Sequence, residues 1–422
     1  MLTLSYIREN REVVVRRLQI KNFKGVELVD NIVALDAMRR KLQKELDDNL
    51  AESNRLSKEI GVLFKEGRKE DADILKEKTV TLKDSSRLIQ EKLELAEKEQ
   101  NEMLVLLPNL PHTSVKPGFA AEDNEVVHTH GETEIVGENA LPHWDLAKKY
   151  DLIDFELGNK IAGAGFPVYK GKGAKLQRAL INFFLDEASK QGYLEIEPPI
   201  LINEASGFGT GQLPDKEGQM YFAEKDGLYL IPTAEVPLTN IYRDVIVKED
   251  ELPIKLTAYT PCFRREAGSY GKDVRGLNRL HQFDKVEVVQ IVHPDKSYGI
   301  LEHMKDYVAG LIEKLGLPYR ILKLCGGDMG FTSAMTYDME VYSAAQKRWL
   351  EVSSVSNFEN FQANRAKIRF KDKEGKSILA HTLNGSALAL PRIVAAILEN
   401  NQDEGGINIP KVLVPYTGFE RI

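Results

Sequence analysis

Two arginines and two acids that could handle a phosphate and an amine lie within one short stretch of this chain. Phe263-Arg264-Arg265-Glu266-Ala267-Gly268 leads into a loop through Lys272, Asp273 and Arg275, and Leu280-His281-Gln282-Phe283-Asp284-Lys285-Val286-Glu287 follows. The pattern reads as a strand, a loop and a returning strand. On a strand, an arginine two residues before a glutamate shares its face, so Arg264 and Glu266 would point the same way. A planar guanidinium grips a phosphate with two charge-assisted bonds, and a carboxylate beside it can accept from an exocyclic amine. Phe283 and Glu287, four apart, share a face of the returning strand, where a ring can stack on a base. Together these residue types suit a nucleotide. Alone they are a weak signal, because R-x-E pairs usually make surface salt bridges and Glu287 has Lys285 at hand as an ordinary partner. No G-x-G-x-x-G or G-x-x-x-x-G-K-[ST] is present, which removes the main support for a Rossmann or P-loop site.

The elements that must position these residues divide into two textures. Residues 1–107 contain no proline and only three glycines, Gly25, Gly61 and Gly67, which favours long helices. Leu28, Ile32, Leu35, Leu42, Leu46, Leu56, Ile60 and Leu63 follow a heptad-like spacing that Arg39, Asn49 and Ser53 interrupt. A second seam runs through Leu75, Leu82, Ile89, Leu93, Ala96, Met103 and Leu107. Each seam is a coiled-coil signature. The short polar break Lys65-Glu66-Gly67-Arg68-Lys69 predicts antiparallel packing in an arm roughly 55–60 Å long, at ~1.5 Å per residue. Such an arm is expected to project into solvent. Pro108, Pro111 and Pro117 end the second helix, and residues 108–150 read as a linker and lead-in to the core. Over residues 151–422, short β-branched runs alternate with Gly/Pro turns, and helices are expected over 172–191 and 296–316. The fold class is α+β with a mainly antiparallel sheet flanked by helices.

Composition narrows the function classes. A chain of 422 residues exceeds one ordinary core, and 42% hydrophobic with 29% charged residues is a globular profile. A net charge of −7 argues against a protein that coats nucleic acid indiscriminately. Residues 1–107 are balanced in charge, so a polyanion meets less repulsion there than elsewhere. Cys262 and Cys325 are too few for a disulfide framework or a Cys-rich zinc site. Charges from Arg8 onward leave no apolar core for a secretion signal, and no apolar run approaches a membrane span, so the expected location is cytoplasmic. His128 and His130 share a strand side without a cysteine or carboxylate in ligand register. His281 reads as structural and Trp144 as a packing anchor.

Three blocks in order resemble the signature motifs of class II aminoacyl-tRNA synthetases. The Phe263–Glu287 block is similar to motif 2. GYLEIEPPILIN, residues 192–203, resembles motif 1, a helix running into an interface strand with a proline, here Pro198 or Pro199. LNGSALALPRIVAAILEN, residues 383–400, resembles motif 3, a strand leading into a helix that carries an arginine, here Arg392. Local matches point to the seryl branch: Thr210–Asp215 reads TGQLPD against the family's TGQLPK, Thr233-Ala234-Glu235 matches its TAE loop, and Glu351-Val352-Ser353-Ser354 with Ser356-Asn357-Phe358 matches its E-x-S-S…SN stretch. The N-terminal arm without proline is also a seryl feature.

The resemblance implies ATP-dependent activation of L-serine to seryl-adenylate and its transfer to tRNA-Ser, and to tRNA-Sec where present. It implies that Arg264 and Arg392 are catalytic. Arg264 would hold the α-phosphate and the serine carboxylate, Glu266 would read the adenine amine, and Phe283 and Arg392 would sandwich the adenine, with Arg392 also near the terminal phosphate. Arg265, Leu280, Val352 and Ser353 would complete the nucleotide site. Glu351 and Ser354 would ligate Mg²⁺, an ion that prefers oxygen. Thr233, Ala234, Glu235, Arg264, Glu287, Asn384 and Ser386 would surround serine, with the division between its ammonium and hydroxyl left open. A homodimer through the Pro198–Pro199 strand is expected, as is tRNA backbone contact by Lys41, Lys44, Arg55 and Lys58 on the arm.

Overall fold

The computed structural model describes residues 1–133, 140–215, 217–266 and 275–422. Ala267, Gly268, Lys272 and Asp273 lie outside the described residues. The chain forms two compact units, one of residues 1–19 and 23–108, the other of residues 20–22 and 109–422.

In the first unit, two short helices, α1 (Leu4–Glu9) and α2 (Arg11–Ile20), precede the long pair α3 (Val26–Lys65) and α4 (Lys69–Leu104). The 40 residues of α3 span about 60 Å. The turn between the long helices is the expected polar break. Gly67 takes φ +78°, and the amides of Gly67 and Arg68 return to the carbonyls of Phe64 and Leu63. This wrap stops the helix with a residue that carries no Cβ penalty. Leu42, Leu46, Leu93 and Ala96 are buried together, with Ile89 against them. The seam's interruptions are polar contacts rather than gaps: Asn49 donates to Ser85 of the facing helix at 3.1 Å. Asp36, 1% exposed, meets Arg8 at 2.9 Å, Arg40 at 3.0 Å and Arg39 at 3.3 Å. Burial raises the Asp36 proton affinity, yet the guanidiniums outweigh it and hold the carboxylate below its ordinary range.

The second unit is built on an eight-stranded sheet. Its strands are β1 (Glu125–His130), β2 (Leu194–Glu195), β3 (Ile254–Phe263), β4 (Gln282–Val292), β5 (Tyr319–Lys323), β6 (Met335–Ser343), β7 (Arg348–Asn357) and β8 (His381–Ala389). They lie in the order β1-β5-β6-β7-β8-β4-β3-β2, and every pairing is antiparallel except β2 with β3. Residues 125–130 thus form an edge strand within the stretch expected as linker and lead-in. The last strand in sequence, β8, sits between β7 and β4.

Residues directly opposite across a ladder share a face. Val286, Val288, Val355, Leu383 and Ala387 join the main apolar cluster with side chains of α5 (Gly171–Lys190), α7 (Ser297–Lys314) and α8 (Leu390–Asn400). The opposite face carries Phe283, Lys285 and Glu287 on β4, with Ser386 paired to Glu287, Ser356 to Asn384 and Ser354 to Asp338. Period-two alternation therefore separates the main apolar cluster from the chemistry-bearing residues, which share their face with a smaller apolar cluster around Val289.

Pro198 and Pro199 do not lie in a strand. They occupy the extended link between Leu194–Glu195 and Leu201–Ile202, because a residue without an N–H cannot donate to a ladder.

Candidate active site

The strand reading of Arg264 and Glu266 needs correction. β3 ends at Phe263, and Glu266 turns into the left-handed region at φ +48°. Alternation therefore does not set its direction. Arg279 does, donating to the Glu266 carboxylate at 3.0 Å. Arg264 continues the ladder by one bond, its amide donating to the His281 carbonyl at 2.9 Å, and its guanidinium stands 5.2 Å from the centre of the Phe283 ring. Arg265 is exposed, 6.0 Å over the Tyr221 ring.

Farther along β4, a buried polar knot forms the floor of the candidate site. Lys285 Nζ meets Glu287 Oε2 at 2.7 Å and donates to Thr233 Oγ1 at 2.9 Å. The ordinary partner foreseen for Glu287 is thus real, and it is buried, with side chains 6% and 1% exposed. Asn384 donates to the other Glu287 oxygen, Oε1, at 3.1 Å, and Ser386 Oγ donates to Oε2 at 3.4 Å. A buried carboxylate removed from water requires this many partners.

Glu235 is the second buried acid. It opens α6 (Glu235–Asn240), directly after Thr233 and Ala234. Gln362 donates to it at 2.6 Å, and Thr382 steadies Gln362 at 2.7 Å. Burial pushes the Glu235 carboxyl up to about 7; Gln362 opposes that rise, Glu287 adds to it, and Lys285 and Arg264 oppose it. The four charged groups are therefore near enough to sense one another. Sequence spacing gave no signal for Gln362, which arrives from a distant helix, or for Lys285 as a floor residue rather than a bystander.

On the neighbouring strand, Ser354 Oγ lies 3.4 Å from Glu351 Oε1. Arg392, in the first turn of α8, donates from Nη1 to the Glu351 carbonyl at 2.5 Å and from Nε to the Asn278 carbonyl at 3.1 Å. Asp338, opposite Ser354, has one carboxylate oxygen buried without a hydrogen-bond partner. These oxygens are the hard donors that Mg²⁺ prefers, and the orphaned oxygen marks a place where positive charge is missing, so the residues fit that ion. Among the described residues no group of three or more His, Cys, Asp or Glu is arranged for a metal. Ser353 donates to the Ser386 carbonyl at 2.6 Å and ties β7 to β8. Ala234, Leu280 and Val352 turn buried side chains into the core, and the Ala234 carbonyl accepts the Leu238 amide at 3.1 Å.

The other sequence positions have structural places. Asp215 accepts from the amides of Gln219 and Met220 at 3.0 and 2.8 Å. His281 bonds the Tyr221 hydroxyl at 2.8 Å and stacks on Phe166. His128 and His130 both lie against Tyr319. Cys262 and Cys325 are free and buried.

An antiparallel sheet with apolar helices on one face and this set of acids and arginines on the other is the architecture of a class II aminoacyl-tRNA synthetase core, and residues 221–401 match the tRNA synthetase class II core domain (G, H, P, S and T). Residues 1–111 match the seryl-tRNA synthetase N-terminal domain. The serine–tRNA ligase of Salinibacter ruber is 52% identical over 100% of this chain and 99% of its own length, and that of Methylacidiphilum infernorum is 48% identical over 98% and 97%. The crystal structure of seryl-tRNA synthetase from Pyrococcus horikoshii complexed with ATP superposes with a TM-score of 0.93 at 34% identity, covering 100% of this chain and 99% of that one. The chain belongs to the seryl-tRNA synthetase family.

Proposed function

We propose that this chain joins L-serine to the α-phosphate of ATP and passes the seryl group to the 3′ end of tRNA-Ser, and to tRNA-Sec where that tRNA exists. The observation that carries the reading is the pair of buried acids, Glu235 and Glu287, on a floor that Arg264 and Phe283 overhang. One end suits a small zwitterion with a hydroxyl, the other a nucleotide.

The serine carboxylate attacks the α-phosphorus and pyrophosphate leaves. A terminal ribose hydroxyl of the tRNA then attacks the acyl carbon and AMP leaves. No protein nucleophile is required. Arg264 orients both carboxylate and α-phosphate, with its guanidinium over the Phe283 ring, while Glu266 takes the adenine amine. Arg392 faces the leaving phosphates. Catalysis then rests on in-line positioning and on charge neutralisation that is already in place. Glu351 and Ser354 would hold Mg²⁺, which supplies further neutralisation at the phosphates.

Glu235 bonds a neutral amide and suits the serine ammonium. Glu287, already met by Lys285, Asn384 and Ser386, suits the serine hydroxyl. Alanine or glycine would forgo the hydroxyl's hydrogen bond to this buried acid, which lowers their affinity relative to serine. The arm's cations favour tRNA backbone, although Arg55 is shared with Glu52 and Glu59 and Lys41 lies near Glu45. A homodimer and a cytoplasmic location complete the proposal. No helix among the described residues is long and apolar enough to cross a membrane.

The test is pyrophosphate exchange with each of the twenty amino acids, followed by charging of tRNA-Ser. Exchange should depend on serine alone. Exchange with another amino acid and none with serine would overturn the substrate, and exchange without charging would reduce the function to activation.

A further inference from the structure

Behind the nucleotide site, a buried histidine joins two segments that meet at Arg392. His143 opens the His143–Lys149 helix, and its side chain and that of Glu399 are both 0% exposed. His143 Nδ1 lies 2.7 Å from Glu399 Oε1, and the His143 amide donates to the same oxygen at 3.0 Å. Nε2 accepts the amide of Leu277 at 2.9 Å. A ring nitrogen that accepts carries no hydrogen, so its partners assign the proton to Nδ1, which donates to Glu399. Ser343 Oγ and Gln346 Nε2 also donate to Glu399.

The neighbours of Leu277 pack against His143 and the adjacent Trp144. The Arg275 guanidinium stacks 4.5 Å over the Trp144 ring. Gly276, at φ +67°, passes so close that a Cβ would stand 2.2 Å from His143 Nε2. One residue after Leu277, the Asn278 carbonyl accepts Arg392 Nε at 3.1 Å, and Asn278 Nδ2 donates to Gln346 at 3.1 Å. Arg392 and Glu399 are seven residues apart on α8, so they leave the same side of the helix. The bonds close a ring: Glu399, His143, Leu277, Asn278, Arg392, and back along α8 to Glu399. An apolar pair could fill the same volume, but it would not fix the Leu277 amide in direction.

We propose that His143 is a positioning residue for the phosphate-side arginine. By holding the Leu277 amide it fixes the Asn278 carbonyl, which in turn aims the Arg392 guanidinium. This rests on the proposed role of Arg392 at the phosphates of ATP.

Three variants and one control test it. His143→Asn keeps an amide donor toward Glu399 but no longer reaches Leu277. His143→Gln places an oxygen near the position of Nε2. Gly276→Ala keeps both His143 and Glu399 in the sequence and drives a methyl into the contact, so the segment or the ring must shift. In serine-dependent pyrophosphate exchange, His143→Asn and Gly276→Ala should raise the ATP KM about tenfold, the scale seen when a group that orients a ligand-binding residue is lost. The serine KM should stay within about twofold, since Glu235 and Glu287 are not in the ring, and His143→Gln should recover most of the loss. The inference is overturned if Arg392→Ala raises the ATP KM while His143→Asn and Gly276→Ala do not. It is also overturned if both KM values rise in step with no difference between Asn and Gln, the mark of a merely structural role. If Arg392→Ala leaves the ATP KM unchanged, the reading of Arg392 itself fails.

Discussion

Arg264 stands where the β3–β4 ladder ends, braced on Phe283 and close enough to Glu235 to lower its proton affinity. Arg264→Ala removes the side chain proposed to touch both reactants, so serine-dependent pyrophosphate exchange should fall on the order of 10²–10³-fold with the fold unchanged by circular dichroism. Exchange within a few-fold of wild type would sink the assignment. Glu235 yields a pH prediction whose sign is fixed. Its folded value of about 7 lies above the ordinary 4.5, so as pH falls the folded chain takes up the proton first. Its contribution to stability is present in acid and lost as pH rises through about 7. Thermal unfolding of Glu235→Gln should therefore lack a component of wild-type destabilisation that accrues as pH rises from 4.5 to about 7. Conversely, a serine ammonium needs the ionised acid, so the serine KM should climb below pH 7 by up to about tenfold per pH unit. A flat serine KM from pH 7 to 6 would exclude Glu235 as the ammonium partner.

At the scale of elements, the long helices and the sheet answered to different rules, and that decides how legible each was. The spacing from Leu28 to Leu63 and the break at Gly67 predicted α3, α4 and their turn, because heptads and a left-handed glycine are local signals. α5 and α7 fell within a residue or two of expectation. The end of β3 was not legible: Arg264 to Glu266 keep a strand-like alternation in sequence, while Arg279 and a left-handed Glu266 redirect the backbone. Neither was the floor, since Gln362 and Lys285 acquire their roles only when distant segments meet. Each assigned chemical residue lies after Thr210, so deleting residues 30–105 with a short flexible link should leave serine activation nearly intact and cripple charging of tRNA-Ser. Replacing Lys41, Lys44, Arg55 and Lys58 by Gln should give an intermediate defect and flatten the salt dependence of tRNA affinity. Equal charging by the truncated protein would remove the arm from tRNA binding.

For the whole molecule, the exposed apolar side chains include Leu194 on the sheet edge at β2, 62% exposed, and Leu201 and Phe222, 43% and 49% exposed, in a small separate sheet, and apolar surface of this kind suits a partner better than water. A second copy of the chain would cover it, so sedimentation at micromolar concentration should report a dimer, and Leu194→Glu with Leu201→Glu should yield monomers of low activity. A fully active wild-type monomer would refute this. The position of β8 bears on how such a chain is made. While residues 381–389 are still unsynthesised, the sheet can exist only as two fragments, β1-β5-β6-β7 and β4-β3-β2, each with a bare edge at what will become the centre. The arm, whose pairing is local, can fold as soon as it emerges from the ribosome. The catalytic half must wait, with its hydrogen-bonding edges open to other chains. Nascent chains stalled before residue 381 should therefore bind chaperones or aggregate, and release past residue 400 should end that exposure at a stroke.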